Sequence, residues 1–455
     1  MSVFPAAPSG PVPGTRRVGA VDHDLVRRLR VQVADRLAGQ RRRDDLAGRP
    51  PMSSADERQF ARSLVVQVLE DHARAEVEAG RAPLAASDEE AVAAAIGAAL
   101  FGVGRLQPLL DDPDVENVDI NGFDRVFVGY ADGREELHAP VAESDDDLVE
   151  LVQVLAANVG LTSRPFDAAN PQLDLRLPDG SRLSAVMGVC QRPALSIRRA
   201  RLGTASLADL VAAGSMTDDL AQFLRAAVRA RKNIMIAGST NSGKTTLLRA
   251  LAAEIGPHER IITVERALEL GLDAHVEAHP NAVAFEERLQ NSEGVGGVSM
   301  ADLVRRSLRM NPSRVIVGEV LGDEIVTMLN AMSQGNDGSL STIHANSSAE
   351  VFNRIATYAL QAEERLPVEA SHMLIAGSVD FVVFLDKQNT YHAGGGLRRV
   401  VASVREVTGV DGRVLSSEVF LAGADGVARA HAPLQCAADL ERHGYVAPVL
   451  QRWDA

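Results

Sequence analysis

The sequence predicts an α/β protein: a domain built on a parallel sheet, preceded by a smaller α+β domain and an N-terminal helical module. Three observations carry this. The stretch "NIMIAGSTNSGKTTLLRALA" (233–252) sets a short apolar strand, a glycine-bearing loop and a helical repeat in succession. Two later apolar runs, "RIITVE" and "SRVIVGE", each end on a carboxylate. Upstream, short alternating segments are separated by Asn-Gly and Asp-Gly, the signature of strands joined by tight turns.

The chain has 455 residues, enough for two to four domains. Its hydrophobic content of 46% is ample for buried cores. The formal charge of −14 argues against a general polyanion binder, because nonspecific nucleic-acid affinity comes from neutralising phosphates with Lys and Arg. Two cysteines, Cys190 and Cys436, are too few for a disulfide framework or a four-cysteine zinc site and fit a reducing cytosol. The N-terminus lacks a basic start followed by an apolar core, and no uncharged apolar run approaches the ~20 residues of a membrane span. A soluble chain that meets membranes only through partners is therefore expected.

Residues 1–20, rich in Pro, Gly and Ala, read as a disordered tail. From 21 to 104 the spacing of Leu25, Leu29, Val33 and Leu37, continued in "RQFARSLVVQVLEDHARAEVEAG" and "SDEEAVAAAIGAALFG", predicts a helical module. Ser87 is expected to cap its last helix, with Glu90 completing a capping box. Residues 105–200 read as α+β: "VENVDIN" and "RVFVGY" as strands, "DDDLVELVQVLAANVG" as an amphipathic helix, and "QLDLRLPDGSRLSAVMG" as a hairpin turning at Asp179 and Gly180. The parallel-sheet domain follows from 201 to 400, opened by two helices in "SLADLVAAGSMTDDLAQFLRAAVRARK". An extension from 401 to 455 holds a hairpin, "LRRVVASVREVTG" and "RVLSSEVFLA", and a final helix, "CAADLERHGY", with Trp453 in packing or in a frayed tail.

The loop after "NIMIAG" reads GxxxxGKT. Gly238 and Gly243 permit a backbone, running through Ser239, Thr240, Asn241 and Ser242, whose N–H groups curl around phosphate oxygens. The helix that follows presents its positive dipole end to the same charge. Lys244 would reach the β and γ phosphates, Thr245 offers a hydroxyl to Mg²⁺, and Thr246 one near the α phosphate. ATP with Mg²⁺ is the expected cofactor. Glu265 and Glu319 would stand at carboxyl ends of strands, where open α/β sheets bind ligands. One could orient attacking water and the other hold Mg²⁺ through a water; spacing does not assign the roles. His344, closing the strand "SLSTIHA", is either a γ-phosphate sensor or a structural histidine.

The motif from Gly238 to Thr246, "TVERALEL", "LRMNPSRVIVGEVLGDE" and "GNDGSLSTIHANS" resemble four consecutive boxes of the type II/IV secretion-system ATPases: Walker A, acidic box, Walker B and histidine box. The likeness is nearest to the tight-adherence pilus assembly branch and covers about residues 85 to 390. It implies a RecA-like P-loop motor domain joined to an N-terminal domain, a homohexameric ring, and polytopic inner-membrane platform proteins as partners. By the same resemblance Glu265 is the catalytic acid, Glu319 the Walker B carboxylate, and His344 the second histidine of its box. Arg182 and Arg198 occupy positions similar to those of phosphate-approaching arginines, and Arg309 and Arg314 are further candidates. Three residues depart from the family pattern: Arg266 for an aspartate, Leu321 for an arginine and Asn336 for a histidine. Arg266 could make up the cation that Leu321 lacks. The expected function is a cytoplasmic ATPase driving pilus assembly or secretion through a hinge near "RRARLGTASL". A weakly hydrolysing assembly subunit and a DNA-transfer motor are the alternatives.

Overall fold

The computed structural model describes residues 22–50, 52, 54–101, 103–159, 165–177, 179–199, 206–288, 290, 294–389 and 397–447. The expected tail, Trp453 and residues 200–205 of the expected hinge lie outside them. The chain divides into two units: 1–129 with 136–175 and 183–197, and 130–135 with 176–182 and 198–455.

In the first unit, α1 (His23–Leu46), α2 (Ser54–Glu78) and α3 (Ala86–Phe101) close on their own core of Leu25, Leu29, Val33, Val68, Leu69 and Ile96. Helix α3 starts one residue before Ser87. The amides of Asp88 and Glu89 bond to the Ala85 carbonyl, so Ser87 lies inside the first turn and is not its cap. After α4 (Gln107–Asp111) come β1 (Val115–Asn121), β2 (Val126–Tyr130), β3 (Glu135–His138), α5 (Asp145–Val159), β4 (Gln172–Arg176), β5 (Arg182–Val186) and β6 (Ala194–Arg198). They form a six-stranded sheet in the order β3-β2-β1-β6-β5-β4. The Glu143 carboxylate ties the helical module to this part of the chain through Arg27 and, at 2.7 Å, Arg105.

The second unit runs through α6 (Leu207–Ala212), α7 (Asp218–Arg229), β7 (Ile234–Gly238), α8 (Lys244–Ala252), β8 (Ile261–Glu265), β9 (Ala282–Glu286), α9 (Met300–Ser307), β10 (Arg314–Val320), α10 (Glu324–Ser333) and β11 (Leu340–His344). It continues through α11 (Glu350–Gln361), α12 (Val368–Ala376), β12 (Phe381–Asn389), β13 (Leu397–Asp411), β14 (Arg413–Ala422), β15 (Ala428–Ala430) and α13 (Ala437–Glu441). The nine strands order as β15-β14-β13-β12-β7-β11-β10-β8-β9. From β12 to β9 every pairing is parallel; β13, β14 and β15 add antiparallel strands at one edge.

Side chains alternate across a strand, so a sheet covered on both faces needs apolar residues at every position. β7 meets that demand: Ile234 and Ile236 enter one core with α7 and α8, while Met235 and Ala237 enter the other with α9 to α12. Both opening helices are capped, α6 by a Ser206–Asp209 capping box and α7 by Thr217. Phe223 of α7 stands edge-on to Phe381 at 5.0 Å and also meets Phe420 and Tyr445. The C-terminal extension thus shares the sheet and core of the parallel domain.

Candidate functional site

At the carboxyl end of β7 the chain turns sharply, and both glycines of the loop are required there. A Cβ on Gly238 would run into Ser242 Oγ and lie 2.7 Å from the Leu385 carbonyl. Gly243, at φ 94°, is the left-handed residue that starts α8, where a side chain would be strained. Asn241 also has positive φ, 60°. The Ser242 amide turns inward onto the Ser239 carbonyl at 3.3 Å.

Lys244 is nearly buried, at 7% exposure, and its ammonium folds back onto the loop. Nζ donates to the carbonyls of Gly238 at 3.2 Å and Ser239 at 3.0 Å. It also lies 3.3 Å from His344 Nδ1 and 3.9 Å from Glu319 Oε1. His344 Nε2 is 2.8 Å from Glu319 Oε1. The parallel register explains the meeting: His344 pairs with Gly238 across β11 and β7, and Glu319 stands near the end of the next strand, β10. An ammonium can only donate, so Nδ1 accepts from Lys244 and Nε2–H donates to Glu319. Burial, with the Lys244 charge adding to it, holds the His344 pKa below its ordinary 6.5, against the pull of Glu319. Burial likewise lowers Lys244, Glu319 opposing and the Arg198 charge assisting. Sequence-predicted Lys244, Glu319 and His344 therefore form one contiguous cluster.

Glu265 is at the end of the adjacent strand but faces its own turn. Thr263 Oγ1 donates to its Oε1 at 3.1 Å, and the amides of Glu269 and Leu270 donate to Oε2 at 2.8 and 2.9 Å. Burial raises its pKa, the two amides opposing. Gly318 leaves room for it, since a Cβ there would lie 3.0 Å from Glu265 Cγ. Two arginines grip the same turn. Arg182, grouped with the second unit, reaches Glu269 at 2.9 Å and the Ala267 carbonyl at 3.2 Å. Arg249 of α8 bonds to the Glu269 carbonyl.

Arg314 does not belong with the phosphate-facing candidates. It opens β10, and amino ends of parallel strands lie opposite the loop. Buried at 1% exposure, it meets Glu259 twice at 2.8 Å and the carbonyls of Val228 and Gly338 at 2.9 and 3.2 Å. Arg309 is an exposed residue of the turn before the same strand end. Asn336, which precedes β11, is likewise at the amino end, with its Nδ2 donating to the Ala331 carbonyl at 3.3 Å. Arg266 lies 3.8 Å from Glu287; burial raises the Glu324 pKa, and the Arg266 charge, with backbone amides, opposes that rise. Buried Glu324 accepts at Oε1 from the amides of Leu321 and Gly322, 2.6 and 3.2 Å away. The Arg266 charge thus acts beside Leu321, on the acid that holds its amide.

Sequence reasoning missed Arg249, Glu324 and Arg399. Arg249 follows Lys244 by five residues on the loop helix, which was a usable signal. Arg399 reaches the Asn241 carbonyl at 2.9 Å across 158 residues of sequence, and no local pattern announces that contact. Thr245 and Thr246 are half-buried in the first turn of α8. Thr245 and Glu319 are hard oxygen donors, and Mg²⁺ takes few such ligands from protein when phosphates and waters complete its shell. The donor set fits Mg²⁺.

A phosphate loop between a central strand and a helix of a parallel sheet, with a smaller domain before it, defines a P-loop ATPase of the RecA-like class. Residues 102–413 match the model of the type II/IV secretion system protein family, and the chain belongs to that family. It is 35% identical over 330 residues to the putative conjugal transfer protein Rv3659c of Mycobacterium tuberculosis, covering 70% of this chain and 89% of that protein. It is 31% identical over 335 residues to the type IV secretion system protein VirB11 of Brucella suis, covering 68% and 90%. Among solved structures, the Brucella suis VirB11 ATPase in complex with sulphate matches at 30% identity, 70% and 97% coverage and a TM-score of 0.35.

Proposed function

We propose that this protein is a cytoplasmic, Mg²⁺-dependent ATPase that works as a homohexamer at the inner face of a membrane. Its hydrolysis drives a secretion or transfer machine through polytopic platform proteins. The observation that carries the reading is the Lys244–His344–Glu319 cluster at the mouth of the phosphate loop. Among the described residues no single helix is long and apolar enough to cross a membrane, so platform proteins would supply the membrane contact.

The chain's own groups suggest the working order. Lys244, held by two loop carbonyls, exchanges them for phosphate oxygens when nucleotide enters. His344 loses its ammonium neighbour and becomes free to face the γ phosphate. Mg²⁺, held by Thr245 and through water by Glu319, would neutralise phosphate charge. Glu265, the second strand-end acid, would ready water for attack once its turn opens. Arg182 and Arg198 would add positive charge toward the phosphates.

Relatives named for conjugal transfer and type IV secretion favour a transfer or secretion machine. The box pattern favours the tight-adherence pilus branch as the second reading. Phosphate release by purified wild type and Lys244→Ala tests the ATPase reading. We expect the variant to lose about a hundredfold or more in turnover. Wild-type turnover in the variant, or ATP binding without phosphate release in single-turnover mixing even with platform proteins present, would overturn the motor. Stimulation by platform proteins of one machine and not the other separates transfer from pilus.

A further inference from the structure

Strand β13 runs behind the phosphate loop, one strand removed from β7, and its Arg399 touches it. Arg399 pairs with Lys387 in the β12–β13 ladder, while Leu385 of β12 pairs with Gly238 of the loop. The Arg399 stem covers Gly243: a Cβ there would lie 3.6 Å from Arg399 Cδ and 3.8 Å from Leu385 Cδ2. Beyond the stem, Nε donates to the Asn241 carbonyl at 2.9 Å.

That carbonyl belongs to a peptide whose orientation matters. In a planar trans peptide the C=O and the following N–H point opposite ways. A guanidinium holding the Asn241 oxygen on the outside therefore keeps the Ser242 N–H on the inside, where it meets the Ser239 carbonyl at 3.3 Å. The inside is where backbone donors of a phosphate loop meet their ligand. Asn241, at φ 60°, occupies a sparsely populated region that persists when its surroundings hold it. The same strand braces the opposite wall. Arg405 donates to Oγ of Ser348, four residues past His344, at 2.9 Å and to Glu418 at 3.1 Å, and Ser348 bonds to Ser403 at 2.9 Å.

We propose that Arg399 is a positioning residue for nucleotide binding: it fixes the Asn241–Ser242 peptide in its phosphate-accepting orientation, so that affinity depends on a strand of the C-terminal region. This rests on the ATPase reading above. Arg399 acts through the loop backbone and need not touch the nucleotide.

The test uses the full chain, with a fluorescent ADP for binding, steady-state ATP hydrolysis, and melting without nucleotide. Arg399→Met keeps the apolar stem over Gly243 and removes the donor. It should weaken ADP binding and raise KM for ATP by about tenfold, the scale of one charged hydrogen bond. Turnover at saturating ATP should stay within about threefold, because the interaction is made equally in ground and transition states. The nucleotide-free melting temperature should move by less than ~2 °C. Arg399→Lys should recover part of the affinity. ADP affinity within about twofold of wild type, or a loss that merely tracks a lowered nucleotide-free melting temperature, would overturn the proposal. If the Met variant does not fold, Arg399→Gln decides: severalfold weaker ADP binding supports the proposal and unchanged affinity overturns it. Lys244→Ala is the control. Wild type that fails to bind ADP would sink the ATPase reading and the proposal with it, whereas wild-type binding lost in Lys244→Ala and retained in Arg399→Met would sink the proposal alone.

Discussion

The two ends of the parallel sheet are built from the same strands and handle polar groups in opposite ways. At the amino end pairing is close to complete, with buried His279 Nδ1, three residues before β9, the exception among the described residues. Asn233 uses its amide, both side-chain functions and five partners: its N–H donates to Asp380 at 2.8 Å, Nδ2 donates to the Met332 and Ser378 carbonyls, and Oδ1 accepts from Gly338 and Ser339. Arg314 is saturated by Glu259 and two carbonyls. At the carboxyl end, Lys244 spends its ammonium on carbonyls that a phosphate could replace, and Ser242 Oγ and Glu324 Oε2 are buried with no partner among the described residues. A buried polar group is costly unless paired, so unfinished pairing concentrates where a ligand completes it. The amino end secures the fold, and the carboxyl end is where the proposed nucleotide site would work.

The sharpest way to break this contrast is to damage the amino end and look for effects at the other. Arg314→Met removes the buried partner of half-buried Glu259 and leaves it Arg231. Removing one side of a buried pair is expensive, and we expect a loss of about 3 kcal/mol in chemical denaturation. KM for ATP, measured well below the transition, should be unchanged. A raised KM with intact stability would show that the amino end takes part in binding, and the comparison would fail.

Glu265 is the exception at the working end, since both its oxygens are occupied as fully as those of any amino-end group. Glu265→Gln separates its two roles. The amide oxygen can still accept from Glu269 and Leu270, and Thr263 Oγ1 can reverse to accept from the new NH₂ group, so stability should fall by no more than about 1 kcal/mol. Turnover should fall about a hundredfold if the carboxylate serves as a base. Stability loss without a turnover defect would make Glu265 an anchor of the 266–270 turn and nothing more.

How much of this was legible in the sequence follows the range of the interactions involved. Local chemistry was readable: the loop glycines, the strand–loop–helix order, and strands that end on Glu265 and His344 and one residue past Glu319. β9, "AVAFE", escaped because four half-buried residues and an exposed glutamate at a sheet edge carry too little pattern. Ser87 misled because a serine followed by acids suits a first turn as well as a cap. Arg314 misled for a topological reason: sequence places it five residues before Glu319, yet a strand of that length carries the two to opposite ends of the sheet. Arg399 was hidden because its partner is 158 residues away. Departures from the family pattern resolve in the same way, with Asn336 far along β11 from the loop while Arg266 and Leu321 meet around Glu324.

The smallest expected effect is a pH dependence, and its sign follows from the cluster. His344 has a folded pKa below its ordinary 6.5, chiefly from burial and then from the Lys244 charge. Below pH 6.5 the unfolded chain takes up this proton more readily than the folded one, so the histidine's contribution to stability is full above that value and is lost as pH falls toward the folded pKa. His344→Gln should flatten this acid-side decline in melting temperature, and the difference between the two profiles should vanish above neutral pH. Saturating nucleotide sharpens the comparison further. By drawing the Lys244 ammonium to phosphate it removes one cause of the shift while adding negative charge nearby, so the His344 ring protons, followed by NMR, should titrate at higher pH than in the nucleotide-free protein. A titration that does not move would mean that the ammonium stays on its carbonyls with nucleotide bound, and the carboxyl end would then be as finished as the amino end.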